Sequence, residues 1–175
     1  MFGYTAVDER NSSLNCIAHS PSLPRVTGNL AILLIDMQNQ FLPKVEEEEK
    51  KYLLKNQLGI IREARQNRTP RIVVNTGYLE DNELKELIGL KKTICKDDSS
   101  AFSTSALDEY LRSEQITDLY LMGLFASESI LITSIDALKK GYKVHTSFGV
   151  IANPRNLDHL RKSSFSYETE DINLS

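Results

Sequence analysis

Cysteine is scarce in this sequence. Cys16 and Cys95 are the only two, too few for a disulfide framework, so a reducing, cytoplasmic setting is expected. The three histidines, His19, His145 and His159, are scattered without metal-ligand spacing, and no metal is expected. No apolar run approaches the length of a membrane span. The amino terminus, MFGYTAVDERNSSLNC, lacks a basic region followed by an apolar one, so neither a signal peptide nor a membrane partner is expected. A net charge of -3 with mixed signs, and no basic stripe interleaved with aromatics, argues against nucleic acid. Internal repeats and low-complexity tracts are also lacking. What remains is a globular chain of 175 residues, 41% hydrophobic and 26% charged, long enough to bury a sizeable core.

Residues 1–29 are polar and irregular, punctuated by Pro21, Pro24 and Gly28. They read as an extension lying over the domain or a neighbouring subunit, with the domain itself at 30–175. Ala31-Ile32-Leu33-Leu34-Ile35 shows no polar alternation, the pattern of a strand covered on both faces. Leu53, Leu54, Leu58, Ile60, Ile61 and Ala64 repeat at helical spacing and predict a helix over 45–66, opened by the solvated acidic run Glu46–Glu49. Further strands are expected at 71–76, 93–96, 118–124 and 143–148, with a sixth at 164–168. Helices are expected at 83–88, 105–113, where Ser105 and Asp108 resemble a capping pair, and 129–140, closed by Lys139, Lys140 and Gly141. This alternation predicts a three-layer α/β/α fold, doubly wound on a mainly parallel sheet of about six strands.

Such a sheet gathers the carboxyl ends of its strands on one edge. Asp36, Lys96 and Ser129 all follow strand-like runs, so they converge there. Gly123 to Ser129 is a strand-to-helix turn whose N–H groups offer an oxyanion site. A carboxylate, an ammonium and a hydroxyl above such a site form a base, charge-stabiliser and nucleophile set.

These residues resemble the isochorismatase-like cysteine hydrolases, a superfamily that includes nicotinamidases and N-carbamoyl amide hydrolases. LLIDMQNQF is similar to that family's D-M-Q-N-D-F motif. Lys96 with Ser100-Ala101-Phe102 is similar to its lysine and S-A-F, and GLFASESILITSIDALKKGYKV to its G-x-x-T-x-x-C-V and T-x-x-D-A-x-x-x-G-Y-x-V. The resemblance implies a small-molecule amide hydrolase with Asp36 as base and Lys96 as charge-stabilising partner, and no cofactor. It implies a cis peptide at Leu124–Phe125, an oxyanion site at Phe125 and Ser129, substrate contacts from Gln38, Phe41 and Phe102, and a homo-oligomer. The chain departs from the pattern at Gln40, at Ala126, and at Gly77-Tyr78-Leu79-Glu80, where the metal-ligand residues of nicotinamidases are missing.

The gravest departure is serine at 129, the family's cysteine position. An alcohol ionises far less readily than a thiol of pKa ~8.5, and no histidine stands in any motif to help. Four accounts fit: a cysteine hydrolase with its cysteine exchanged for serine, a degenerate member that binds a ligand or partner without turnover, a vinyl-ether hydrolase with Asp36 as acid, or attack by Ser129 itself. Cys95 neighbours Lys96 but should point to the other face of its strand, as a buried structural thiol.

Overall fold

The computed structural model describes residues 20–77 and 92–154. The helix expected at 83–88 and the strand at 164–168 lie outside the described residues. Strands β1 (Leu30–Ile35), β2 (Arg71–Thr76), β3 (Lys92–Lys96), β4 (Asp118–Leu124), β5 (Lys143–His145) and β6 (Ile151–Ala152) form one parallel sheet. Its order is β3-β2-β1-β4-β5, and β6 also pairs with β4. The two short strands share one side of β4: β5 pairs with Asp118 to Tyr120, and β6 with Gly123 and Leu124. Among the described residues the sixth strand is Ile151–Ala152, too short to carry a periodic signal of its own.

Helix α1 (Glu47–Gln66) covers one face, while α2 (Ser105–Ser113) and α3 (Leu131–Lys139) belong to the other. The β1 side chains divide between these layers. Ile32 and Leu34 enter the core beneath α1 with Leu53, Ile60 and Ile61. Ala31, Leu33 and Ile35 enter the second core with Leu107, Leu111 and Ala137. Burial on both faces is why β1 is apolar without alternation, and each buried Leu or Ile contributes about 1.5–3 kcal/mol. The first turn of α1 holds Glu47, Glu48 and Glu49 at the positive end of its dipole, as expected.

Two local expectations are corrected. The N-cap of α2 is Thr104, not Ser105, and no side chain caps it. Cys95 does point away from Lys96, but it is exposed rather than buried. Its strand is the outermost, and the core beneath α1 reaches β2 through Val73 without including any β3 residue. Among the described residues no helix is long and apolar enough to cross a membrane.

Candidate active site

Asp36 follows β1 directly, and its backbone is left-handed (φ 55°). That turn carries the chain off the sheet edge, and Asp is among the residues that tolerate it. Its carboxylate is almost wholly buried, at 1% exposure. Oδ1 accepts a hydrogen bond from Thr76 Oγ1 at 2.8 Å. Oδ2 lies 3.0 Å from Lys96 Nζ in an ion pair, yet no described donor is aligned on it as a hydrogen bond.

Lys96 ends β3 and is itself 3% exposed. Its Nζ also donates to Ser129 Oγ at 3.1 Å and to the carbonyls of Ser99 (3.0 Å) and Asp98 (3.2 Å). Four acceptors thus surround three N–H donors, so the ammonium is held from every side. Asp36, Lys96 and Ser129 meet as their sequence positions predict.

The turn that delivers Ser129 differs from expectation. No described peptide bond is cis, so Leu124–Phe125 is trans. The bend comes instead from Phe125, which adopts a left-handed conformation (φ 60°, ψ 55°) uncommon for an aromatic residue. Leu124 stays in the core beneath α1. A single π turn, Ala126–Ile130, follows, and the Phe125 carbonyl accepts from the N–H groups of Glu128 (3.0 Å) and Ile130 (3.1 Å). Asn153 Oδ1 accepts from the Ser127 N–H and hydroxyl, both at 3.2 Å. Left-handed residues on both sides of one cavity are the kind of strain that concentrates at functional sites.

The cavity over this set measures about 180 Å³ and is lined by Asp36, Lys96 and Ser129 with Phe41, Thr76, Asp98, Ser99, Phe125 and Glu128. Phe41 meets Phe125 edge to face, ring centroids 5.0 Å apart. Of the expected substrate contacts, only Phe41 belongs to the wall. Gln38 is fully buried and spends its amide on Thr76, donating to the carbonyl (3.1 Å) and accepting from the N–H (2.9 Å). It positions the strand end that holds Asp36. Phe102 is stacked on Tyr142 in the core under α2 and α3, because Ala101 is tied back to Thr133 Oγ1. Sequence reasoning missed Thr76, Ser99 and Glu128, for which only their places beside strand ends or Ser129 gave a signal.

A larger hollow, about 900 Å³, lies at the amino edge of the sheet between residues 22–30, the end of α1 and Glu114. Among its described lining residues it contains no such acid, ammonium and hydroxyl set. Residues 20–29 lie at this far edge, where the Leu23 N–H bonds to Glu63 and Asn29 to Thr117 and Gln115. Those residues of the expected extension do not cover the Ser129 cavity.

The fold is shared with solved structures of about one fifth sequence identity. The nicotinamidase of Staphylococcus aureus matches at 20% identity over 71% of this chain and 83% of that one, TM-score 0.63. The N-carbamoylsarcosine amidase of Thermoplasma acidophilum matches at 22% over 74% and 87%, TM-score 0.61. The MAR1 ribonuclease of Caenorhabditis elegans matches at 22% over 72% and 66%, TM-score 0.62, so this fold alone does not fix a substrate. No curated protein sequence matches the chain. The isochorismatase domain model matches residues 30–147, more than half of the sequence, and takes in β1 through β5 with the whole Asp36, Lys96 and Ser129 set; the chain belongs to the isochorismatase domain family.

Proposed function

We propose that this protein hydrolyses the C–N bond of a small amide, with Asp36, Lys96 and Ser129 as its catalytic set. The observation that carries the reading is the Lys96 ammonium, buried 3.0 Å from Asp36 Oδ2 and 3.1 Å from Ser129 Oγ. Two structural neighbours are amide-cleaving enzymes by name, which supports the bond type. In this reading Ser129 Oγ adds to the amide carbonyl. Its proton passes to the Asp36 carboxylate by way of Lys96, which gives up one proton as it takes another. The N–H groups of Phe125 and Ser129 hold the oxyanion. Collapse expels the amine with the transferred proton, and water then cleaves the ester to free Ser129. A cavity of about 180 Å³ restricts the substrate to a small molecule.

One observation favours a second reading, ligand binding without turnover. Among the described residues no carboxylate or imidazole accepts a hydrogen bond from Ser129 Oγ, while Lys96 donates to it. A panel of amides, esters and vinyl ethers separates the cases. Ser129→Cys is expected to raise amide turnover, since a thiolate forms more readily than an alkoxide. Asp36→Asn is expected to lower it by roughly 10²–10⁴-fold in either background. Activity that survives Ser129→Ala but vanishes with Asp36→Asn would mean vinyl-ether protonation by Asp36. Thermal stabilisation by a ligand with no activity in any variant would mean binding alone.

The same reading includes a cytoplasmic setting and a homo-oligomer. The exposed apolar face of α3, formed by Leu131, Ile132, Ile135 and Leu138, supports the oligomer. A stable monomer in sedimentation at micromolar concentration rejects it.

A further inference from the structure

Among the described residues the cavity is lined by three carboxylates, Asp36, Asp98 and Glu128, against the single ammonium of Lys96. That ammonium is committed: it faces Asp36, Ser129 and two carbonyls. On the surface, Glu47, Glu48, Asp108 and Asp136 each have a lysine or arginine partner. Asp98 and Glu128 have none among the described residues. Asp98 is exposed, and among the described residues its Oδ1 accepts only from the Ser99 N–H at 2.6 Å. Glu128 is half-buried one residue before Ser129, and among the described residues its Oε1 accepts only from Ser99 Oγ at 2.9 Å. The partly desolvated Glu128 carboxylate is unfavourable without a counter-ion, and an arriving cation relieves it.

We infer that the substrate is a small amide carrying a positive charge, an ammonium, amidinium or guanidinium group set against Glu128 with its carbonyl at Ser129. Glu128 is the residue that selects it. The cavity wall repels a carboxylate-bearing analogue through Asp98 and Glu128 and accepts a neutral one weakly. The identity of the reacting bond rests on the amide-hydrolase reading above, whereas the charge of the ligand rests on the cavity alone.

Calorimetric binding of 4-aminobutanamide, butanamide and succinamate to the wild-type protein tests the inference without requiring turnover. These probes are similar in length and differ in charge. 4-Aminobutanamide is expected to bind roughly tenfold more tightly than butanamide, the scale of one charge-assisted hydrogen bond, and succinamate more weakly than either. Glu128→Gln is expected to narrow the gap between the charged and neutral probes, Glu128→Asp to keep most of it, and added salt to shrink it. Succinamate binding as tightly as 4-aminobutanamide, a gap untouched by Glu128→Gln, or no binding of any probe would overturn the inference. Charge-ordered binding with no hydrolysis, even in Ser129→Cys, would retain it and remove the hydrolase reading.

Discussion

Thr76 serves two neighbours from one position. Its backbone is clamped on both sides by the Gln38 amide, and its hydroxyl donates to Asp36 Oδ1. A polar chain therefore runs from Gln38 through Thr76, Asp36 and Lys96 to Ser129, and the orientation of the carboxylate depends on Thr76. Thr76→Val keeps shape and β-branching but removes the hydroxyl, leaving a buried carboxylate oxygen without its donor. The expected cost is about 1–3 kcal/mol of stability, read in thermal unfolding. Turnover, in whichever background is active, should fall with it. Thr76→Ser, which retains the hydroxyl, should recover both, and a Thr76→Val protein with unaltered turnover would show that Asp36 needs no such support. Asp36, Lys96 and Ser129 were legible in the sequence because each stands at the carboxyl end of a strand or just past its turn, and a parallel sheet gathers those places. Thr76 and Glu128 were not legible. Their roles come from which side chain faces which across β1, β2 and the π turn, and that depends on register and turn geometry.

At the scale of elements, the unalternating runs at 30–35, 71–76 and 118–124 coincide with β1, β2 and β4. Their legibility is physical, since two covered faces keep the strand middles apolar and leave polar residues such as Asn75 and Asp118 near the strand ends. Where long-range contacts set a boundary, the sequence was misleading. The helix expected from 129 is preceded by a π turn that needs the left-handed Phe125 and the Asn153 side chain, which lies 26 residues beyond Ser127. Strand β5 stops at His145 instead of 148, since Thr146 donates its hydroxyl to the Leu121 carbonyl (2.9 Å) and β6 then takes the free length of β4. The closeness of β1 and β4 beneath Asp36 rests on Gly123. With φ at 140°, a Cβ there would stand 2.0 Å from the Ile35 carbonyl oxygen. Any larger residue would push apart the two strands that carry Asp36 and the turn to Ser129.

Across the whole molecule, two tyrosines couple the two helix layers to pH. Tyr120, at the centre of β4, is buried in the core beneath α1, and burial pushes its hydroxyl up to about 12. The oxygen lies near Ser147 without a bond of hydrogen-bond geometry. Tyr142 is packed in the opposite core and donates to Asp108 Oδ1 at 2.7 Å; burial first, then that carboxylate, push it up to about 12. An unfolded tyrosine ionises near ~10. The fold therefore favours the protonated form of both, and their contribution is fully present below about pH 10. As the pH rises from about 10 towards about 12 the unfolded chain releases these protons first, and stability should fall by at most about 1.4 kcal/mol per pH unit for Tyr120. The two sites separate at neutral pH. Tyr120→Phe removes a buried hydroxyl with no aligned partner, so its urea midpoint at pH 7 should be unchanged or higher. Tyr142→Phe removes a hydrogen bond to a carboxylate and should be destabilised there. Each variant should nonetheless show a shallower alkaline loss than the wild type, and an unchanged slope in Tyr120→Phe would show that the buried β4 tyrosine is not what limits the fold at high pH.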